Sequence, residues 1–500
     1  MNNTSSKLFN RDGYIPIKEY VNDIQCMKNN GTWKLPLRII DYLHFSFLVI
    51  VVKFSWFAEA LYIINPSKVG PAFTVLLAFL KKKSIFDSYV EGNLHFRGYF
   101  SYYLEKKVKI NNHVRIMSGQ GVSEDKAIAL SKALGEMIER AVSGMYDLNK
   151  KIKIISLNDL TKKFPVIYPP KYHRFLNIQK NKFAELHYDP AKAIAWVEGK
   201  NLITNIKTYI PRTMTSWFTE ESDLEEVFIN ATTNGAAGYF TKDGAALRGL
   251  LEVVQRDAFL VHWLTTFPPQ IVAQETLPKD LQEKVKEFEL FGISIYILNV
   301  TSIPIPSIFI AAINKEAETP QVVLTGASAL TFEEAIHNSL REMVLGLEMF
   351  YYVGTKAQLK YKDIEPEPFI ADIGKITRQL YWRGNKRVKQ FEWFLSGDKV
   401  SYNSLCEQDL ISEKTDSCQL EVCLEVLKKL GSSYYPTVYY PKNKIQDELG
   451  FYVAQIFIPK AFPLYLSEYY GTFDSDRLEE FAVSKENFNW KLNPLPHMFP

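Results

Sequence analysis

The chain has 500 residues, room for about three domain-sized cores or one large composite fold, with the 47% hydrophobic and 23% charged residues of a globular protein. Lys and Arg number 59 against 56 Asp and Glu, so the net charge of +3 sets up no global field for nucleic acid. Twenty-four glycines and 24 prolines exclude a collagen-like or low-complexity chain, and four cysteines without a C-x-x-C pair exclude a disulfide scaffold and speak against zinc.

Residues 1–35 read as polar and irregular, without the basic and apolar regions of a secretion signal. Residues 36–82 read as an apolar helical segment. Its longest uncharged run, 42–52, is shorter than the roughly 20 apolar residues that span a bilayer. Asp41, Lys53 and Glu59 interrupt any longer window, so a buried helix is expected here, not membrane contact. Short strands, glycine turns and capped helices begin near residue 90, and the stretch 147–185, with KKFPVIYPPKYHRF, reads as a connecting excursion. Strands and helices alternate over 190–330, as in SIYILNV (294–300) and IFIAAIN (308–314). Residues 347–420 read as a helical and loop insertion rich in aromatics. A helix-turn-strand pattern resumes over 424–470, where EVLKKLG ends in a glycine C-cap and FYVAQIFIP is a buried strand. The last ten residues, KLNPLPHMFP, hold three prolines and cannot form a regular helix. Reduced thiols and the missing signal point to the cytoplasm.

One phrase occurs three times: SGQGVSEDKAIALSKALGEMIER (118–140), TTNGAAGYFTKDGAALRGLLEVVQR (232–256) and TGASALTFEEAIHNSLREMVLG (325–346). Each opens on a glycine-bearing loop. Each then offers a helix cap, Ser123, Thr241 or Thr331, and an acid two residues on, Asp125, Asp243 or Glu333, where the helix dipole favours negative charge. Thr331 and Glu334 have capping-box spacing. Counting back from Glu136, Glu252 and Glu342 sharpens the match. Leu stands two residues before, a small residue (Ala133, Gly249, Ser339) three before, and Ala (Ala129, Ala245, Ala335) seven before. Glu139 adds a carboxylate one turn beyond Glu136, and Gln255 holds that place in the second helix.

Converging carboxylates repel unless hard cations neutralise them, and Mg²⁺ takes oxygen ligands while keeping waters and phosphate oxygens. Backbone N–H groups at glycine loops before helices suit phosphate. Together these features suggest an Mg-nucleotide site, although neither a Walker P-loop nor a G-x-G-x-x-G after a strand is present. The simpler reading is that Glu136 pairs with Arg140 and Glu252 with Arg256, as on any solvated helix. Three copies in one register favour the site.

At these residues the chain resembles the YcaO family, whose phrases look like a glycine-lysine-glycine segment before an "ALGE-x-x-ER" helix and a "SNG-x-A-x-G" loop before an "E-x-x-ERDA" helix. Here they stand as SGQG with ALGEMIERAVSG and TTNGAAG with EVVQRDAFLVHW, and the third phrase and FYVAQIFIPKAFPL resemble later family segments, over about residues 60–500. The resemblance implies an α+β, YcaO-type fold with mixed and antiparallel sheets and packed helices around a glutamate-lined Mg-ATP site. The domain plan expected with it is an N-terminal helical segment (1–90), whose apolar part over 36–80 is a core flap or a partner-docking surface, a catalytic domain (91–480) and a proline-containing tail (481–500). Carried over, Glu136, Glu139, Glu252, Gln255 and Glu342 are metal ligands, and Gln120, Thr233, Asn234 and Arg256 contact the nucleotide. Three departures lower the positive charge available to triphosphate or the negative charge available to metal: Gln120 for a usual Lys, Gln255 for a usual Glu and Asn338 for a usual Arg. Arg248 and Lys132, four residues before their glutamates, need not face the same way.

The implied reaction is ATP-dependent cyclodehydration. A Cys, Ser or Thr side chain of a ribosomally made precursor peptide attacks the preceding carbonyl, the amide oxygen is phosphorylated, and phosphate leaves to give thiazoline or oxazoline, as in thiazole/oxazole-modified microcin biosynthesis. Azoline-forming members tend to end in a Pro-x-Pro-x-Pro pattern, and here Met498 replaces the middle proline. The stiff tail makes the Pro500 carboxylate a candidate base and His497 the runner-up, against the reading of a frayed end. The resemblance further implies a partner that binds the leader peptide, and a homodimer. Peptide thioamidation and a non-catalytic scaffold in a peptide-modifying complex are the alternatives. The proline-ended tail argues against the first and the three departures favour the second.

Overall fold

The computed structural model describes residues 86–92, 99–110, 113–144, 152–183, 186–215, 232–314, 321–352, 365–373, 375–410, 415–441 and 450–498, which fall into two units. The segments 1–35 and 36–82 and the tail residues Phe499 and Pro500 lie outside the described residues.

The first unit is an antiparallel sheet, β1 (Ser88–Gly92), β2 (Phe100–Ile110) and β3 (His113–Ser123), with most of helix α1 (Lys126–Gly144). SGQG is not a loop, as the sequence suggested, but the end of β3. The small residues explain why. A Cβ on Gly119 would stand 2.0 Å from the Ala133 carbonyl oxygen, and one on Gly121 2.1 Å from that of Ala129. Two glycines on one face of a strand thus meet two alanines one helical turn apart, and strand and helix backbones touch directly. Because Ser123 is still paired in β3, the cap passes to Asp125, whose Oδ1 accepts from the N–H groups of Ala127 (2.8 Å) and Ile128 (3.0 Å). That replaces the expected Ser123 cap.

The second unit holds two larger sheets, save for Gly238, Tyr239 and Tyr452 at strand ends, which belong to the first unit. Strands β4 (Lys153–Ser156), β5 (Ala193–Asn201), β6 (Lys207–Pro211), β7 (Ala236–Tyr239), β13 (Thr437–Tyr439) and β14 (Tyr452–Phe457) form a six-stranded sheet in the order β4-β5-β13-β14-β7, with β6 also on β5. Strands β8 (Gln270–Val272), β9 (Ile293–Asn299), β10 (Ser307–Asn314), β11 (Gln321–Ser328) and β12 (Lys399–Val400) form a second, ordered β11-β10-β9-β8-β12. It is antiparallel except where β12 runs parallel to β8. The expected strands 294–300 and 308–314 fall on β9 and β10. The stretch 147–185 is more than an excursion: it supplies β4 and buries Leu160, Ile167, Phe175 and Gln179, because its apolar residues have sheet to cover. TGAS, like SGQG, is the end of a strand, β11, where the Phe309 ring lies over Gly326.

Helix α2 (Lys242–Thr265) runs through this core and packs against β10, β11, α6 (Asp416–Lys429) and α7 (Asp476–Ser484). Thr241 caps it, accepting from Gly244 N–H at 3.0 Å, as the sequence indicated. Its last two turns are buried all round, His262 and Thr265 included, because aromatics enclose them: Trp263 packs on Trp382, Phe391 and Phe394. In the chain α3 (Lys279–Glu289) lies between β8 and β9 and packs on β9. Helix α4 (Phe332–Tyr352) covers β10 and β11, capped by Thr331 through Glu334 N–H at 3.2 Å. Ser339 on its buried face donates to the Ile308 carbonyl, so the small position does bring helix and sheet close. The aromatic insertion continues in α5 (Lys375–Tyr381), with Trp382 and Arg378 fully buried. Among the described residues, no helix is long and apolar enough to cross a membrane.

Candidate functional site

In the first unit Glu136 projects from α1 toward β3. One carboxylate oxygen accepts the backbone N–H of Gln120 and the other pairs with Arg140, which also donates to Ser118 Oγ at 3.0 Å. Glu139, one turn on, accepts the backbone N–H of Gly238 at 3.0 Å. In the second unit Glu252 repeats the pattern. Its Oε2 accepts from Gly235 N–H at 3.2 Å and its Oε1 pairs with Arg256 at 3.0 Å. The helical glutamate therefore reaches back 16 or 17 residues to latch the glycine-bearing segment of its own phrase, and the arginine four residues later holds the other oxygen. The i,i+4 pairs of the simpler reading are real, but they are one half of a latch.

The remaining site residues are placed as follows. Gln255 donates through Nε2 to the Gly326 carbonyl at 2.6 Å, so its Oε1 is the atom that would face a metal. Thr233 and Asn234 lie in the turn before β7. Asn234 N–H bonds Thr232 Oγ1 at 3.1 Å, and its side-chain Oδ1 is buried without a hydrogen-bond partner. Glu342 is exposed on α4, and Asn338, one turn before it, accepts from Arg341 at 3.0 Å. Of the two nearby cations, Lys132 donates to the Val122 carbonyl, and Arg248 to the Gly244 carbonyl and Asp416.

His497 does not stand at a solvent-facing site. It is 0% exposed, its Nε2 lies 2.8 Å from the Tyr465 carbonyl oxygen, and it packs edge-on to Phe259 and Tyr465. Its ring helps to dock the tail, which argues against the base expected of it. Pro500 lies outside the described residues. The frayed end weighed from the sequence does not occur through Met498, because core side chains hold the carbonyls of three successive residues.

Sequence reading assigned no part to Asp257, the acid of RDA. It is fully buried, pairs with Arg477 at 2.6 Å, and accepts from Phe462 N–H and the Ser302 hydroxyl. It ties α2 to α7 and to the strand-Pro segment. The signal was an acid inside an otherwise apolar helical run.

Fold and latches together define an α+β protein in which helical carboxylates hold glycine-bearing segments. The chain belongs to the YcaO family. Residues 118–461 match its model, described as a YcaO cyclodehydratase family that binds ATP and Mg²⁺. The fold is that of solved family structures. A heterocyclase in complex with substrate and cofactor gives a TM-score of 0.66 at 14% identity over 83% of this chain and 55% of that one. YcaO from Methanopyrus kandleri bound with AMPPCP and Mg²⁺ gives 0.56 at 15% identity over 80% and 91%. The E. coli microcin synthetase McbBCD complex with pro-MccB17 bound gives 0.51 at 14% identity over 82% and 97%. This chain spans about half the length of the heterocyclase. No curated protein sequence matches it.

The donors fit the family's ligands. Each latched glutamate offers carboxylate oxygens with more than one lone pair, hard donors of the kind Mg²⁺ prefers. Among the described residues no group of three or more His, Cys, Asp or Glu gathers around one point.

Proposed function

We propose that the chain is an ATP-dependent cyclodehydratase that turns Cys, Ser or Thr of a ribosomally made precursor peptide into thiazoline or oxazoline, in the cytoplasm and with a partner protein that recognises the leader peptide. The observation that carries it is the repeated latch: Glu136 on Gln120 and Glu252 on Gly235, in the family's own two phrases. ATP with Mg²⁺ supplies the phosphoryl group that makes the amide oxygen a leaving group. Glu136, Glu139, Glu252, Gln255 and Glu342 are the residues to hold the metal, and Gln120, Thr233, Asn234 and Arg256 those to orient the nucleotide. The latches keep carboxylates and backbone placed before substrate arrives, which lowers the reorganisation that phosphoryl transfer requires. The microcin synthetase relative, solved as a multi-protein complex with its peptide, supports the partner. Pro500 remains the base this reading proposes.

The test is calorimetric titration with AMPPCP, with and without Mg²⁺, followed by incubation of chain, partner, peptide and ATP and mass measurement of the product. Loss of one water per ring is the expected result. Exchange of oxygen for sulfur would instead establish a thioamide-forming enzyme. A specific observation supports the scaffold reading: Gln255 and Asn338, two of the three departures, are engaged with the Gly326 carbonyl and Arg341. No nucleotide binding by folded protein together with its partner would establish that reading.

A further inference from the structure

We propose that a cleft in the second unit binds an uncharged amide group of the peptide substrate. The cleft is an open hollow of about 560 Å³, solvent at its mouth included, of which about 50 Å³ admits the centre of a water molecule, between the strand-Pro segment that begins in β14 and apolar side chains such as Ile167, Met214 and Val253. Thr232 and Asn234, from the turn latched by Glu252, line the same cleft, so it adjoins the segment assigned to the nucleotide.

Its polar groups fix the ligand chemistry. Gln455 is 3% exposed and donates through Nε2 to the Met214 carbonyl at 3.2 Å, which sets the orientation of its amide. Its Oε1 is buried without a hydrogen-bond partner. His173, 2% exposed, meets Ser475 Oγ through Nδ1 at 2.9 Å, and its Nε2 makes no hydrogen bond of good geometry, although the Pro459 and Ala461 backbone interacts with the ring. Burial pushes the ring's pKa down to about 4, against the opposing effect of Asp257, so the imidazole is neutral near pH 7. Buried polar atoms left unmatched are costly, and three of them, with Asn234 Oδ1, belong to residues of one cleft.

Among the described residues no Asp, Glu, Lys or Arg lines it. A phosphate or carboxylate there would leave water without a counter-charge and face amide oxygens. A peptide amide matches instead. Its N–H suits Gln455 Oε1, its carbonyl suits Nε2–H in the tautomer whose Nδ1 accepts from the Ser475 hydroxyl, and its apolar flanks suit the walls. This inference rests on the peptide-modifying reading: a carbonyl activated beside the nucleotide needs its neighbouring amides held still.

The test uses saturation-transfer NMR on the full chain with N-acetyl-serinamide and N-acetyl-cysteinamide as probes and inorganic phosphate as control. The amides are expected to bind and phosphate not to. Gln455→Met, which keeps length and removes the acceptor, should weaken the amides by about tenfold, the scale of one buried hydrogen bond. Ile167→Trp, which fills the cleft, should abolish them. AMPPCP binding should be unchanged in both, and either variant alone suffices if the other fails to fold. No amide binding by folded wild type, amide binding unaffected in a folded variant, or only ordered water in a crystal grown with the probe would each overturn the site. Failure of the enzyme reading has its own signature, wild-type protein with its partner that binds no AMPPCP.

Discussion

The carboxylate of Glu252 accepts the backbone N–H of Gly235 at 3.2 Å while its other oxygen pairs with Arg256 at 3.0 Å. Residue 235 is glycine because its φ is +74° and a Cβ there would stand 2.3 Å from the Ile456 carbonyl oxygen. Latch and metal ligand separate by substitution. Glu252→Gln keeps an oxygen for Gly235 but drops the charge; Glu252→Ala drops both. Gln should leave the thermal midpoint nearly unchanged and abolish Mg²⁺-dependent AMPPCP binding. Ala should abolish binding and also cost about 1–3 kcal/mol for the stranded N–H. Full Mg²⁺-dependent binding in a folded Gln variant would reduce Glu252 to a structural latch.

Gly119 is a sharper probe of the first unit. A methyl group there would overlap the Ala133 carbonyl oxygen, backbone that cannot rotate away. Gly119→Ala should destabilise by about 1–3 kcal/mol or more through forced separation of β3 and α1. Thermal unfolding reads this directly, and an unchanged midpoint would mean that strand and helix do not meet as described.

Two buried histidines give stability a pH dependence. Burial is the main cause that pushes His262 down to about 3 and His173 to about 4, from an ordinary 6.5. The unfolded chain takes up these protons near pH 6.5 and the folded chain only near 4 or 3, so between those values the unfolded state holds more protons. Their contribution is complete above pH 6.5 and declines as pH falls toward 4 and 3, by up to about 1.4 kcal/mol per pH unit for each histidine. Urea unfolding at about pH 7.5 and about pH 5 should show the loss, and His262→Gln should make it shallower. Equal slopes in variant and wild type would refute the assignment for His262.

Much of this was legible in sequence because it depends on local chemistry. The glutamate register, the Thr241 and Thr331 caps and the strands at 294–300 and 308–314 follow from spacing alone. Gly119, Gly121 and Gly326 misled, since glycine marks both turns and close backbone approach, and only tertiary contact with Ala133, Ala129 and Phe309 tells which. The role of Asp257 was hidden for the same reason: its partner Arg477 is 220 residues away. Gln455, a single polar residue in an apolar run, and His173, one of several polar residues in a basic stretch, gave no signal at all, since their meaning appears only in the cleft they share.

That distant pair is itself testable. Asp257 and Arg477 are 0% and 3% exposed, and Asp257→Ala leaves a buried guanidinium without its carboxylate. The expected cost is about 3–5 kcal/mol in chemical denaturation, while the double variant Asp257→Leu, Arg477→Met should recover part of it by replacing both charges with apolar volume. A single variant as stable as wild type would show that the pair is not desolvated in solution.

The tail provides the last prediction. Trp263 Nε1 donates to the Leu495 carbonyl (3.2 Å), Trp382 Nε1 to that of Pro496 (3.0 Å) and Arg378 Nη1 to that of His497 (2.9 Å). The prolines limit the conformations the tail loses on docking, and the three donors satisfy carbonyls that would otherwise be buried bare. Trp382→Phe keeps most of the aromatic packing and removes one donor, so it should cost about 1–3 kcal/mol and speed amide exchange at Leu495 and His497 more than in the sheets. Arg378→Met should do greater damage, because it also leaves buried Glu468 without the guanidinium that holds it at 2.7 Å. Exchange at Leu495 and His497 that stays as slow in Trp382→Phe as in wild type would mean that packing, and not the carbonyl clamp, holds the tail.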